Sequence, residues 1–216
     1  MRIGILGSGS VGQTLGTRLS NLGHDVTLGG LEATDTRAVE WAEAHGARCG
    51  SFADAVDGAD LVINATAGQH TVEALEQAGG NEAMRGKVLL DVSNPLDFYS
   101  GDRLLVVANT DSLGEQLQRA LPDAQVVKSL NTVNGTVMVE PRLVPGSHTM
   151  FVAGDHAAAK ATVVGILREF GWPESDILDL GGINAARPME MYFPLWLSIM
   201  RAIDGNLVFN INVVRG

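Results

Sequence analysis

Six residues near the amino terminus have the types and the spacing of a phosphate-binding turn. They are Gly7, Ser8, Gly9, Ser10, Val11 and Gly12, and they fit the pattern G-x-G-x-x-G. The first glycine permits a tight turn, the second lets a pyrophosphate approach the backbone, and the third lets a helix pack closely on a strand. Free N–H groups and the positive helix dipole then bind the phosphates. The turn predicts dinucleotide binding, and a purely structural glycine turn is the alternative.

Strand and helix patterns flank this turn. Residues 2–6 form a short apolar run of strand type, and residues 26–28 begin a second strand. Between them, Val11, Leu15 and Leu19 recur at helical spacing, and Gly23 ends the helix. A strand, a glycine turn, a helix and a second strand in this order are typical of the first unit of a Rossmann-type fold.

The residues after the second strand decide which dinucleotide is expected. An acid about 20 residues past the glycine turn hydrogen-bonds the free 2′-hydroxyl of NAD, whereas an arginine nearby accommodates the 2′-phosphate of NADP. Gly30, Leu31 and Glu32 occupy this place. Glu32 is either a ribose ligand or a solvated loop charge, because it lies a few residues beyond the predicted strand end. Arg37 is close, but we expect it on the surface of the next helix.

Apolar runs and amphipathic segments alternate along the rest of the chain. Strands are predicted at residues 61–64, 87–91, 125–130, 149–153 and 176–180, and helices at residues 36–45, 51–57, 71–78, 111–121 and 157–170. This alternation predicts an α/β fold with a Rossmann-type, doubly wound, mostly parallel sheet and a small helical part at the carboxyl end. We expect a dinucleotide-binding domain over residues 1–135 and an extension over residues 136–216 that completes the sheet and the cleft.

The carboxyl end of the chain carries a strongly apolar segment. Residues 184–207 predict one long helix, and Pro194 is expected to kink it because proline lacks an N–H group. The helix is apolar nearly all round, so we expect it to be buried in the core or against a second subunit.

Polar residues follow three of the predicted strands. In an open parallel sheet, ligands bind beyond the carboxyl ends of the strands, near the switch in strand order. The residues at these ends are therefore predicted to border a bound cofactor; they are Ala65, Thr66, Ala67, Ser93, Asn94, Pro95 and Asn131.

The sequence shows no obvious catalytic acid or base. His70 follows one of the polar turns, but nothing nearby in the sequence orients it. Lys128 is the one lysine expected near the site, and a structural role at the sheet end is the favoured alternative. No metal-binding or nucleophile motif is present in the sequence. These features predict a reaction in which two bound redox partners need only alignment, because the cofactors carry the chemistry.

Composition excludes several classes of protein. The net charge is −10, which argues against binding to nucleic acid or to an anionic membrane surface. The single cysteine, Cys49, cannot form a disulfide or a cysteine-based zinc site within the chain. No apolar run is long enough to span a bilayer, and the chain starts directly in a predicted core strand. We expect a cytoplasmic protein whose partner is a small redox substrate.

Four segments carry a resemblance to a known family. They are residues 1–30, 126–142, 151–160 and 186–206. They resemble the coenzyme F420-dependent NADP oxidoreductases and their bacterial relatives. The resemblance implies that NADP binds on the Rossmann face and that the deazaflavin coenzyme F420 lies in a cleft beside the C-terminal part. It also implies direct hydride transfer between the two rings and a homodimer formed through the C-terminal elements.

The resemblance assigns roles to individual residues. Residues 8–11 would hold the phosphates, and residues 65–67 and 93–95 would border the redox centre. Asn131 and Val133 would lie where the two rings meet. The chain departs from the family at Gly30 and Leu31, which replace a Ser/Thr-Arg pair that binds the 2′-phosphate. Asn131 also replaces a histidine of archaeal members. NADP is therefore expected, and NAD stays open.

Three functions are compatible with these observations. The first is hydride transfer between NAD(P)H and a bound deazaflavin. The second is reduction of another acceptor, such as a flavin, an imine, a small carbonyl compound or a ferric chelate. The carbonyl version is weakened because a developing alkoxide needs a proton donor. The third is a dinucleotide sensor without catalysis, which the altered 2′-phosphate site allows.

Overall fold

The strands of this computed structural model form one sheet, and the structure describes residues 1–97 and 105–214. Within those residues the strands are β1 Arg2–Leu6, β2 Asp25–Gly30, β3 Arg48–Ser51, β4 Leu61–Asn64, β5 Val88–Asp91, β6 Gln125–Ser129, β7 Met150–Ala153 and β8 Ile177–Asp179. The helices are α1 Ser10–Asn21, α2 Thr36–His45, α3 Phe52–Val56, α4 Thr71–Gln77, α5 Gly80–Met84, α6 Leu113–Ala120, α7 Gly135–Val139, α8 Ala157–Phe170, α9 Ala186–Met191 and α10 Phe193–Ala202. The two predicted parts, 1–135 and 136–216, are thus described except for residues 98–104 and 215–216.

The strand order is β3-β2-β1-β4-β5-β6-β7-β8. Every neighbouring pair is parallel except β6 and β7, which run antiparallel. The order reverses at β1, which lies between β2 and β4. This reversal is the switch point where open α/β sheets bind ligands. The predicted Rossmann-type fold is confirmed.

Two apolar clusters cover the two faces of the sheet. Ile3 and Ile5 of β1 belong to the cluster that contains residues of α1, α2 and α8. Leu6 belongs to the other cluster, with residues of α3, α4 and α6. Side chains alternate along a strand, so β1 serves both layers. On its α3 side β1 carries Gly4, where a Cβ would lie 1.9 Å from the backbone oxygen of Ala55. The helix therefore packs directly on the strand backbone.

The edge of the sheet differs from the prediction. β3 pairs with β2 although its sequence, RCGS, lacks the apolar alternation from which strands are predicted. Pairing with β3 also carries β2 two residues further than expected, so Gly30 lies in the strand and not in the following loop. The expected loop position of Gly30 is wrong. Glycines usually weaken a strand, but the glycines at the end of β2 are required because neighbouring side chains pack too closely on the strand to leave room for a Cβ.

The helical segment predicted over residues 184–207 is broken next to Pro194, where a kink is expected, and it ends earlier than predicted, at Ala202. Two helices, α9 and α10, replace it, and they meet at Tyr192. Pro194 accounts for the break because its ring cannot be accommodated against the carbonyl four residues earlier. Burial is also less complete than expected: Trp196 and Leu197 are buried, but Leu195 is 56% exposed. None of the helices within residues 1–97 and 105–214 is long and apolar enough to cross a membrane.

The packing of α3 on β1 predicts a large effect of one methyl group. Gly4→Ala should lower the free energy of unfolding by about 2–4 kcal/mol, because the added Cβ meets backbone that cannot move aside. Gly165→Ala is the matched control, since a Cβ at this exposed position of α8 meets nothing within 4 Å. It should raise stability by up to about 1 kcal/mol through helix propensity. Urea unfolding of both variants measures the difference, and equal effects would contradict the packing described here.

Candidate functional site

Two cavities lie on either side of the glycine turn. Each has a volume of about 480 Å³. The first, here called the aromatic cavity, is lined among others by Gly9, Ser10, Val11, Ala65, Thr66, Ala67, Ser93, Asn94, Asn131, Val133, Phe193, Trp196, Met200 and Leu207. The second, here called the β2 cavity, is lined among others by Gly7, Ser8, Gly9, Leu31, Asp35, Arg37, Ala65, Thr66, Ala67 and His70. The shared residues make the two cavities neighbours along the carboxyl edge of the sheet.

Most residues predicted from the sequence lie in one cavity or both. The exceptions within residues 1–97 and 105–214 are Gly12, Gly30, Glu32 and Pro95, which line neither. Glu32 is exposed and borders a shallower depression with residues 34–37. Cofactor binding by these residues stays a prediction.

The glycine turn has the geometry that a phosphate site requires. Gly7 has φ +113°, and a Cβ there would lie 2.7 Å from the oxygen of Ala65. At Gly12 a Cβ would lie 1.9 Å from the oxygen of Gly7, so the helix packs tightly on the turn. At Gly9 a Cβ would meet nothing within 4 Å, and no side chain caps the start of α1. The first N–H groups of α1 therefore open onto free space, as anion binding at a helix N-terminus requires.

The polar strand ends are held by a buried amide. Asn64 Nδ2 donates to Asp91 Oδ1 over 2.7 Å. Asn64 Oδ1 accepts from Thr66, from the backbone N–H over 3.2 Å and from the hydroxyl over 2.7 Å. Ser93 also donates its hydroxyl to Asp91 Oδ1, over 2.7 Å. These bonds fix the turn after β4, which lines both cavities, and the turn after β5, which lines the aromatic cavity.

Beneath these turns lies a buried ion-pair cluster. Lys128 Nζ is 2.7 Å from Asp91 Oδ2 and 2.8 Å from Glu190 Oε1, and all three side chains are inaccessible to solvent. The ammonium also donates to the carbonyl oxygen of Ser93 over 2.6 Å. Burial alone would lower the pKa of Lys128, but the two carboxylates outweigh it and raise the pKa. Lys128 is thus a charged structural group below the cavities, and not a residue of their lining.

Glu190 joins the C-terminal helices to the sheet. Its carboxylate accepts from the backbone N–H of Leu113 over 2.8 Å and from that of Gly114 over 3.1 Å. These are the first N–H groups of α6, where a negative charge is stabilised. A second ion pair, between Arg187 of α9 and Glu115 of α6, links the same two helices as Glu190 does. It also lowers the pKa of Glu115. Both contacts fix the position of α9. Because α10 follows α9 directly in the chain, they also fix where α10 begins.

Asn131 lies just after the end of β6, in the floor of the aromatic cavity. The preceding residue, Leu130, is buried with φ +64°, an uncommon conformation for a bulky side chain. Asn131 Nδ2 donates to Asn94 Oδ1 over 2.9 Å and to the oxygen of Met189 over 3.1 Å. Asn94 returns a bond from its Nδ2 to the carbonyl oxygen of Asn131 over 2.9 Å. The strained turn and the paired amides give Asn131 a fixed orientation.

Aromatic side chains form the opposite wall of the aromatic cavity. Trp196 stacks between Phe193, at 5.9 Å between ring centroids, and Phe209, at 5.2 Å. The sequence predicts this apolar stripe to be core or interface, and Trp196 is therefore a lining residue that was not predicted. Three lining residues have a buried polar atom without a partner among the residues described: Asn131 Oδ1, Thr132 Oγ1 and Trp196 Nε1.

Ionisable groups do not line the aromatic cavity in the described part of the chain. His70, the candidate acid or base, lines the β2 cavity instead, and its Nδ1 is 4.0 Å from Glu73 Oε2. No group of His, Cys, Asp and Glu able to hold a metal occurs in residues 1–97 and 105–214.

The β2 cavity contains an acid that sequence reasoning missed. Asp35 caps α2, because its Oδ1 accepts from the N–H groups of Arg37 and Ala38 over 3.0 and 3.2 Å. Its Oδ2 accepts from the hydroxyl of Ser8 over 3.0 Å. Burial would raise the pKa of Asp35, but these hydrogen bonds and Arg37 lower it. Asp35 lies in the same loop as the predicted acid, Glu32, but Asp35 lines the β2 cavity and Glu32 does not line it as described.

Comparison with known proteins identifies the family. The family described as NADP oxidoreductase, coenzyme F420-dependent, matches residues 2–95. A crystal structure from Arthrobacter sp. FB24, assigned as an F420-dependent NADP reductase, is 43% identical over the full length of both chains, with a TM-score of 0.92. The chain belongs to the coenzyme F420-dependent NADP oxidoreductase family. The description of that family names an NADP oxidoreductase activity.

Two curated relatives show the breadth of this similarity. The F420-dependent NADP reductase of Methanothermobacter marburgensis is 25% identical, and the match covers 92% of each chain. The metalloreductase STEAP3 of Rattus norvegicus is 29% identical over 88% of this chain. The match covers only 36% of that metalloreductase, so this chain spans about a third of its length.

The ion-pair cluster predicts unequal effects of two substitutions. Lys128→Met should cost about 3–5 kcal/mol, because it leaves two carboxylates buried without a cation. Glu190→Gln should cost less than about 2 kcal/mol, since Lys128 keeps Asp91 and the amide oxygen can still accept from α6. Chemical unfolding of both variants measures the two costs. A Lys128→Met variant as stable as Glu190→Gln would contradict the charge balance described here.

Proposed function

We propose that this F420-dependent NADP oxidoreductase family member transfers a hydride between NADP(H) and the deazaflavin coenzyme F420. One observation carries the proposal. The phosphate-type glycine turn and a wall of stacked aromatic rings face the same cavity, and no ionisable side chain of the described residues lines it. Such a cavity can align two flat redox partners, but it cannot supply a proton.

The dinucleotide fits the two cavities together. The uncapped start of α1 and the open space above Gly9 suit a pyrophosphate. The β2 cavity would then take the adenosine half, because it adjoins β2 and Asp35. The aromatic cavity would take the nicotinamide half, beside Ala65, Thr66 and Ser93.

The aromatic cavity also suits a planar acceptor. Phe193, Trp196, Met200 and Leu207 offer an apolar surface against which a tricyclic ring can stack. Asn131 Oδ1 and Trp196 Nε1 are one acceptor and one donor without partners among the residues described. The pyrimidine edge of a deazaflavin carries groups of both kinds. When bound, the nicotinamide and the deazaflavin supply the redox chemistry themselves.

The contribution of the protein is orientation. Asn131 is held by Asn94 and Met189, and Thr66 by Asn64, so the floor of the cavity is rigid. Alignment of two reactants at about 3–3.5 Å can supply a large part of the rate. Apolar walls exclude water, which protects the reaction from competing proton chemistry.

A flavin is the second acceptor that an observation favours. The aromatic wall that suits a deazaflavin would suit a flavin as well, because the two rings have the same planar shape. The lack of an ionisable group in the described lining argues against a carbonyl acceptor, since an alkoxide needs a proton donor. Parallel assays with coenzyme F420 and with a flavin distinguish the two acceptors.

We further propose that the protein acts as a cytoplasmic homodimer. Exposed apolar side chains on the C-terminal elements support the dimer, among them Met191, Leu195, Ile203, Val213 and Val214. Residues 1–135 would form the dinucleotide-binding part. Residues 136–216 would complete the cleft, since β7 and β8 extend the sheet and α10 supplies the aromatic wall.

Substitution of the stacked tryptophan tests the acceptor site. With NADPH as donor and oxidised coenzyme F420 as acceptor, loss of the deazaflavin absorbance measures turnover. Trp196→Ala should raise KM for the deazaflavin at least about tenfold, because it removes the central ring of the wall. NADPH affinity should change less than about twofold. Ser198→Ala, at an exposed position of the same helix that does not line the cavity as described, is the control and should change neither. Wild-type protein that turns over neither coenzyme F420 nor a flavin would refute the proposed function.

The cavity lining also predicts a flat pH profile. The hydride step, measured in a single turnover with both substrates bound, should vary less than about threefold between pH 7 and pH 9, since no described lining residue titrates. Stopped-flow absorbance at saturating substrate measures this rate. A bell-shaped or sigmoidal profile of the hydride step would show that a protein acid or base takes part.

A further inference from the structure

We infer that Asp35 reads the adenosine ribose and shifts the dinucleotide balance of this chain from NADPH toward NADH. The inference rests on the proposed function, since it assumes that the adenosine half occupies the β2 cavity.

Asp35 occupies the space of a side chain that Gly30 lacks. Gly30 is the last residue of β2, the place from which a strand-end acid reaches the ribose. A Cβ built on Gly30 would lie 2.4 Å from Asp35 Cβ and 3.1 Å from Asp35 Oδ2. The loop after β2 therefore folds back and delivers a carboxylate to the strand end. The linear spacing hides this acid, because four residues, 31–34, lie between it and the strand.

The position of the carboxylate is fixed from two sides. Asp35 Oδ1 is used by the first N–H groups of α2, and Oδ2 is held by the Ser8 hydroxyl of the glycine turn. An ionised carboxylate has about four acceptor sites, so Oδ2 keeps room for a further donor. Asp35 lines the β2 cavity beside the glycine turn, within reach of the segment that would hold the phosphates. A ribose hydroxyl is a donor that suits it.

The negative charge of Asp35 lets it discriminate between NADH and NADPH. A free 2′-hydroxyl can donate to Asp35, whereas a 2′-phosphate brings negative charge against it. The hydrogen bonds from α2 and Ser8 keep the pKa of Asp35 below its usual value, so the group is ionised at neutral pH. Arg37 is the nearby cation, with its Nη2 3.6 Å from Asp35 Oδ2 and its side chain 66% exposed. It is free to turn toward a 2′-phosphate, so NADPH can still bind.

The other residues of the loop after β2 differ from Asp35 in their position relative to the β2 cavity. Glu32 is exposed and does not line the β2 cavity as described, so its charge should matter little. Leu31 stands at the place of the family arginine and offers the cavity an apolar side chain. Glu73 also lines the β2 cavity, but it belongs to α4 and lies beside His70. The charge balance at the end of β2 is therefore set by Asp35 against Arg37.

Three charge-neutralising variants test the inference by isothermal titration calorimetry with NADH and NADPH. Asp35→Asn should shift the ratio of the two Kd values toward NADPH by about fivefold or more, because it removes the charge that opposes the phosphate. Asparagine is also a good N-cap, so α2 should stay formed, and the melting temperature checks this. Arg37→Gln should weaken NADPH about fivefold or more and leave NADH within about twofold. Glu32→Gln is the matched control and should leave the ratio within about twofold.

The outcomes separate this inference from the proposed function. A shift smaller than about fivefold in folded Asp35→Asn, or an equal shift in Glu32→Gln, overturns the role of Asp35 while the proposed function stands. Failure of wild-type protein to bind either dinucleotide overturns both. Turnover of the deazaflavin with an unshifted ratio in Asp35→Asn overturns only the role of Asp35.

Discussion

The buried ammonium of Lys128 is the interaction on which the site depends. It lies between Asp91 of β5 and Glu190 of α9, and Glu190 also accepts from the start of α6. A buried charge is tolerated only when its partners are in place, because desolvation costs several kcal/mol per ion. This requirement fixes α9 on the carboxyl edge of the sheet. Pro194 then sets the direction of α10, and the aromatic wall comes to face the glycine turn.

The same arrangement keeps charge out of the reaction space. The ions of the cluster lie beneath the floor, while the described lining of the aromatic cavity is apolar or neutral. Asn64 and Ser93 donate hydrogen bonds to Asp91, and these bonds connect the buried cluster to the turns at the strand ends and hold the turns in place. In the proposed function, the protein would supply rigidity and water exclusion, and the two cofactors would supply the chemistry.

Local signals in the sequence were sufficient for part of this structure. The glycine turn, α2 and α8 follow from spacing and from terminal residues, such as Gly46 and Gly171 in the left-handed conformation. The pairing of Lys128 with Glu190 depends on tertiary packing, so spacing could not reveal it. The acid at the end of β2 was missed for the same reason, since Asp35 returns over Gly30 only in the folded chain. Edge strand β3 carries no apolar pattern and forms because β2 offers it a partner.

Isotope transfer tests the central claim of direct hydride transfer most directly. NADPH carrying deuterium at C4 of the nicotinamide is mixed with the protein and oxidised coenzyme F420, and the product is examined by mass spectrometry and NMR. The account predicts that the deuterium of one face moves entirely to the ring carbon of the deazaflavin, with none released to water. Deuterium recovered in the solvent, or transfer from both faces, would contradict a cleft that aligns the two rings.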